Sequence, residues 1–93
     1  MNKNQIALSS MAMDLKRAAL GYNRGSLKMA NRFLKEALKR KSEIDRSDVK
    51  PYVSKLLDKV GKLENEQDAI RIAEDALMYS TLLQNASLHS PSI

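Results

Sequence analysis

From Leu8 onward the apolar residues of this chain return every three or four positions, as Leu8, Met11, Leu15, Ala18 and Tyr22. An α-helix turns once in 3.6 residues, so this spacing gathers all five on one face. A strand, with its period of two, would scatter them over both faces. The pattern recurs three more times. Leu27, Ala30, Leu34, Ala37 and Leu38 form a second stripe, flanked by Met29 and Phe33. Val49, Val53, Leu56, Val60 and Leu63 form a third, broadened by Tyr52 and Leu57. Ala69, Ile70, Ala73, Ala76, Leu77, Ser80 and Leu83 make the expected buried arc of a fourth.

The breaks between stripes carry stop and start signals. Gly21 and Gly25, with Asn23 between them, tolerate the left-handed backbone that ends a helix, and both glycines read as stops. Ser26 opens the second helix. Ser47 or Asp48 reads as the cap of the third, with Pro51 in the first turn, where a missing N–H matters little. Gly61 marks the last turn of that helix. Asn65 with Asp68 three residues on resembles a capping box for the fourth. Helices of about 16–20 residues span roughly 24–30 Å, and connections of about three to five residues force neighbours to run antiparallel. The predicted fold is all-α, an antiparallel up-down-up-down four-helix bundle. A single domain over 1–86 is expected, with 87–93, rich in serine and holding Pro91, as a flexible tail.

Composition agrees with helices. The four aromatics, Tyr22, Phe33, Tyr52 and Tyr79, are few for a sheet protein, whereas Leu, Ala and Met favour helix. The chain has no cysteine, which excludes disulfides, thiolate metal sites and thiol nucleophiles and suits a reducing compartment. No apolar run approaches the roughly 18–20 residues of a membrane span. The patch 6–13 is broken by Ser9 and Ser10 and followed by charge, so it reads poorly as a signal peptide. A cytoplasmic protein without a membrane segment is expected.

The residue types that carry chemistry are nearly missing. His89 is the one histidine; it stands in the expected tail, with no carboxylate beside it in sequence and Arg71 as its nearest upstream arginine. A general base must be held within hydrogen-bond reach of its proton, which such a tail does not do. The di-iron pattern of helical bundles needs two Glu-x-x-His motifs, which a single histidine precludes. Glu64, Glu66, Asp68 and Asp75 have a superficial calcium-loop spacing, but Ala69 stands where that loop requires glycine. Carboxylates at a helix start account for the same acids. Phosphate loops and nucleophile elbows are absent. The expectation is no catalytic residues, no metal, no cofactor and no enzymatic activity.

Two features remain. Residues 1–46 hold eleven Lys/Arg against four Asp/Glu, whereas 47–93 hold five against seven, so a net +5 divides into +7 and −2. Within the basic half, Lys28, Arg32, Lys35 and Lys39 fall at i, i+4, i+7 and i+11, one stripe along the second helix. Arg40 and Lys41 extend it at the C-terminal end, where cations suit the helix dipole. Such a stripe can follow phosphates along a nucleic acid, and with only Asn31 beside it, base reading is not evident. A solvated charged face has the same composition, and Glu36 and Glu43 interrupt the patch and are placed to pair with Arg32, Lys39 or Arg40. The second feature is surplus hydrophobe: Ile6, Met13 and Leu20 recur every seven residues opposite the first stripe, and Met78 and Leu82 lie off the fourth. A surface of that kind marks a protein partner or a homodimer. The two readings, a phosphate-contacting binding module and a structural or adaptor protein acting through its apolar patch, are compatible.

Overall fold

The chain enters its first helix through a capping box. The Asn2 side chain accepts the Gln5 N–H at 2.8 Å, and the Gln5 side chain accepts the Asn2 N–H at 2.9 Å. The computed structural model describes residues 2–89, which form helices α1 (Lys3–Arg24), α2 (Leu27–Ser42), α3 (Pro51–Gly61) and α4 (Ala69–His89). Two short 3-10 turns, Arg46–Asp48 and Lys62–Asn65, lie in the connections. No strand occurs among the described residues. The helices pack as a bundle in which α1 lies against α2 and α4, and α3 leans on α2 and α4.

Each helix end has a local cause. Gly25 stops α1 in the left-handed region at φ 77°, and the next N–H, that of Ser26, reaches back to the Gly21 carbonyl at 2.8 Å. Gly21, also expected to be a stop, lies inside α1 and is buried. A Cβ there would stand 2.8 Å from the Ala30 Cβ, so this glycine serves the close approach of α1 and α2. Between α2 and α3 the cap belongs to Asp45, whose carboxylate accepts both the Ser47 N–H (3.0 Å) and hydroxyl (2.6 Å). These bonds hold its acidity stronger than usual. Ser47 and Asp48 fall in the 3-10 turn and do not cap α3. That helix starts at Pro51 after Lys50, which makes no side-chain cap bond. Arg46 ties the turn to α3, donating to the Ser54 carbonyl at 3.1 Å and the Asp58 carboxylate at 2.8 Å. Before α4 the cap is Asp68, which accepts the N–H of Ile70 at 3.0 Å and of Arg71 at 3.4 Å. Asn65 ends the preceding 3-10 turn. The acids with calcium-loop spacing are therefore occupied, in part, in starting a helix.

The helices are unequal, with 22 residues in α1, 16 in α2, 11 in α3 and 21 in α4. Helix α3 is short because its backbone tightens into the 3-10 turn directly after Gly61. The core joins Leu8, Met11 and Leu15 of α1 to Leu57 and Val60 of α3 and Leu83 of α4, all essentially closed to solvent. Alanines fill much of the rest: Ala12, Ala18, Ala30, Ala37, Ala73 and Ala76 are buried, and small side chains let helix axes approach. Two bonds cross between the long helices. Ser80 Oγ donates to the Ala12 carbonyl at 2.6 Å, and Gln5 Nε2 donates to the Ser87 carbonyl at 3.3 Å. A reciprocal pair of bonds joins Asn4 to the backbone of Asp45 at 3.0 and 3.1 Å, fixing the start of α1 to the α2–α3 connection.

Helix α4 is rotated relative to expectation. Ile70 and Leu77, placed in the buried arc by their spacing, are exposed, and Ile72 is buried in their stead. Leu27, assigned to the apolar face of α2, is exposed as well. The helix also outruns the expected boundary at 86. Ser87 is buried, its hydroxyl bonded to the Gln84 carbonyl at 2.8 Å, and α4 continues to His89. The His89 side chain and residues 90–93 of the expected tail lie outside the described residues.

Candidate nucleic-acid interface

Helix α2 turns Ala30, Leu34 and Ala37 into the core. The positions opposite them on the helical wheel are those of Lys28, Arg32, Lys35 and Lys39, and all four are exposed. At a rise of 1.5 Å per residue, the stripe from Lys28 to Lys39 is about 16 Å long, with steps of roughly 4.5–6 Å. Ion pairs form elsewhere on the molecule: Arg17 with Asp14 at 3.9 Å, Arg40 with Glu43 at 3.3 Å, Arg46 with Asp58 at 2.8 Å and Arg71 with Glu66 at 3.9 Å. Among the described residues, no carboxylate pairs with Lys28, Arg32, Lys35 or Lys39. None of the four is held in a direct ion pair, and Glu36 is the carboxylate that shares their face. A shallow depression of about 340 Å³ lies on that face, lined by Lys28, Asn31, Arg32, Lys35 and Glu36.

Arg40 is not part of the stripe. It lies toward α1, paired with Glu43 and close enough to Asp14 to act on its acidity. Asp14 is pushed to a higher pKa by burial, with Arg40 and Arg17 opposing the shift and Glu36 adding to it. Arg17 stacks on the Phe33 ring with 5.6 Å from guanidinium to centroid, which brings one cation of α1 onto the flank of α2. No spacing rule in the sequence joins Arg17 to Phe33; only the α1–α2 packing does. Tyr22, whose burial raises its pKa, donates to the Asn31 side chain and so ties the N-terminal part of α2 to α1.

The expected apolar patch is exposed at every named position: Ile6, Met13, Leu20, Met78 and Leu82. It does not form one surface. Leu82 lines a cleft of about 370 Å³ between α3 and α4 with Tyr52, Leu56 and Ala86. Met78, one turn earlier, follows the same side of α4. The residues of α4 that accompany Ile6, Met13 and Leu20 are instead Ile70, Leu77 and Leu88. They step off the side of the helix where Ser80 meets α1, away from α3.

Among the described residues no helix is long and apolar enough to cross a membrane, and no group of three or more His, Cys, Asp or Glu side chains could hold a metal ion. Comparison with protein families, with curated proteins and with solved structures finds no match.

Proposed function

We propose that this chain is a non-enzymatic, cytoplasmic helical module that binds the phosphate backbone of nucleic acid through α2. The observation that carries this reading is the stripe of Lys28, Arg32, Lys35 and Lys39, exposed together and without a carboxylate partner among the described residues. Four cations about a helical turn apart match a ladder of phosphates and release counterions when they bind it. The stripe offers little to base edges, so the recognition is of backbone and not of sequence. A rigid frame keeps the charges in line. We read that frame as the antiparallel up-down-up-down bundle, supported by the bonds of Gln5 to Ser87 and Ser80 to Ala12, and of Asn4 to Asp45 and Tyr22 to Asn31.

Fluorescence anisotropy with a labelled oligonucleotide, single-stranded and duplex, tests the reading. Four phosphate contacts predict a log–log salt slope of about −2.8 on single strands and about −3.6 on duplex, a loss of roughly 50–150-fold between about 50 and 200 mM salt. The Lys28→Ala/Lys35→Ala variant is expected to reduce the slope by about 1.4–1.8. An unchanged slope in the variant, or no binding by the wild type at about 50 mM salt, refutes the proposal.

A further inference from the structure

We infer that two copies of this chain pair face to face through α1 and α4, about a two-fold axis that passes at the level of Met13. The inference uses α1 and α4 alone and is independent of the role proposed for α2.

The face exposes a line of apolar side chains on each helix. Ile6, Met13 and Leu20 are 53%, 50% and 45% exposed, one line down the outside of α1. Ile70, Leu77 and Leu88 form the matching line on α4. Two helices about 30 Å long and about 10 Å wide present roughly 600 Å² per copy, so pairing covers about 1,200 Å², above the roughly 1,000 Å² a specific interface requires.

The lines are self-complementary, which is the requirement of a two-fold contact. Ile6 and Leu20 lie seven residues on either side of Met13. An axis through Met13 therefore sets Ile6 of one copy against Leu20 of the other, and Met13 against itself. The bonds of Gln5 to Ser87 and Ser80 to Ala12 give the register between α1 and α4, in which seven residues forward on one match seven back on the other. Met13 thus stands level with Tyr79. The same axis, carried across to α4, sets Ile70 against Leu88 and Leu77 against Thr81. One axis satisfies both helices.

Charge selects this arrangement over its parallel alternative. Across the axis Lys3, Lys16, Arg17 and Arg24 of α1 face Asn23, Ser10, Ser9 and Asn2 of the second copy, all uncharged. On α4, Glu74 faces the uncharged Gln84. A parallel pairing of α1 on α1 would lay each cation on its own copy, and like charges in register oppose association.

The chain has no cysteine, so single cysteines report the geometry without background. Under mild oxidation Met13→Cys is expected to give a covalent dimer. A mixture of Ile6→Cys with a tagged Leu20→Cys is expected to give the mixed dimer, while Ile6→Cys alone gives little, its two copies lying about 21 Å apart along the helix. Disulfides need Cα atoms within about 7 Å, so the pattern is discriminating. In parallel, the wild type is expected to sediment as a dimer at about 50 μM, and Met13→Glu/Leu77→Glu as a monomer with an unchanged helical spectrum. Three results overturn the inference. They are a monomeric wild type at that concentration, Ile6→Cys coupling to itself in preference to Leu20→Cys, and a monomer that instead sediments with phosphatidylserine vesicles, which would assign the face to a lipid surface.

Discussion

Replacing Gly21 by alanine sets two effects of comparable size against each other. Alanine is the better helix former by about 1 kcal/mol, and Gly21 lies within α1, so propensity alone predicts a gain. The new methyl, however, would lie 2.8 Å from the Ala30 Cβ, 3.0 Å from its Cα and 3.2 Å from its N. Carbon atoms rest at about 3.5–4.0 Å, so α1 and α2 must separate by roughly 0.7–1.2 Å at this crossing. The obstructing atoms are backbone and a methyl, and no rotamer change relieves them. Overpacking of this kind costs about 1–3 kcal/mol, and the adjoining Tyr22–Asn31 bond, worth about 0.5–1.5 kcal/mol, is stretched as well. The expected net loss is about 1–2 kcal/mol, a fall in Tm of roughly 5–15 °C by circular dichroism. Gly61→Ala is the control, because the same propensity gain there meets only the flexible end of Lys41, at 3.1 Å, and Tm should hold or rise. In the Gly21→Ala/Ala30→Gly double variant the nearest contact is gone, so its loss should be smaller than the sum of the two single losses. A Gly21→Ala protein as stable as the wild type would refute the close-approach argument.

Two further substitutions test separate parts of the structure. Burial raises the pKa of Asp14, so its stabilising contribution is greatest below the ordinary carboxylate range and is lost as pH rises through the raised value. Asp14→Asn should therefore raise Tm near neutrality, and the gain should vanish below about pH 4; a gain that grows on acidification would contradict this sign. Ser80→Ala removes the buried bond to the Ala12 carbonyl and is expected to lower stability by about 1 kcal/mol in urea unfolding, whereas no change would show that the bond does not hold α4 to α1.

How far the sequence reveals this molecule depends on whether a helix has a polar edge. In α1 and α2 it does. Lys16, Arg17 and the stripe of Lys28 to Lys39 mark the outside, and the core faces through Leu8, Met11, Leu15, Leu34 and Ala37 follow from spacing. In α4, apolar residues stand on almost every side, and the alanines common to both candidate arcs leave its rotation open. The burial of Ala73 and Ala76 and the bond of Ser80 to the Ala12 carbonyl of α1 fix it, with Ile72 inward and Ile70 and Leu77 outside. The same rotation moves Leu82 onto the α3 cleft and substitutes Ile70, Leu77 and Leu88 in the α1–α4 face. The cation stripe was legible because charge periodicity on one helix needs no tertiary information. The surroundings of Arg40 are not legible from spacing, because besides its ion pair with Glu43 it acts on Asp14 of another helix. Ser87 reads as tail because serine, Pro91 and the chain end resemble a loop, whereas in the fold it is buried and its carbonyl accepts from Gln5, eighty-two residues away.

The central claim, that α2 is the surface that meets nucleic acid, is tested most directly by nitrogen-15 amide shifts recorded while a short oligonucleotide is added to the labelled protein. The largest movements are expected on α2 at and beside Lys28, Arg32, Lys35 and Lys39, with the Arg17 flank following and α3 unmoved. Movements centred on α3 or on the α1–α4 face, with α2 silent, would contradict it.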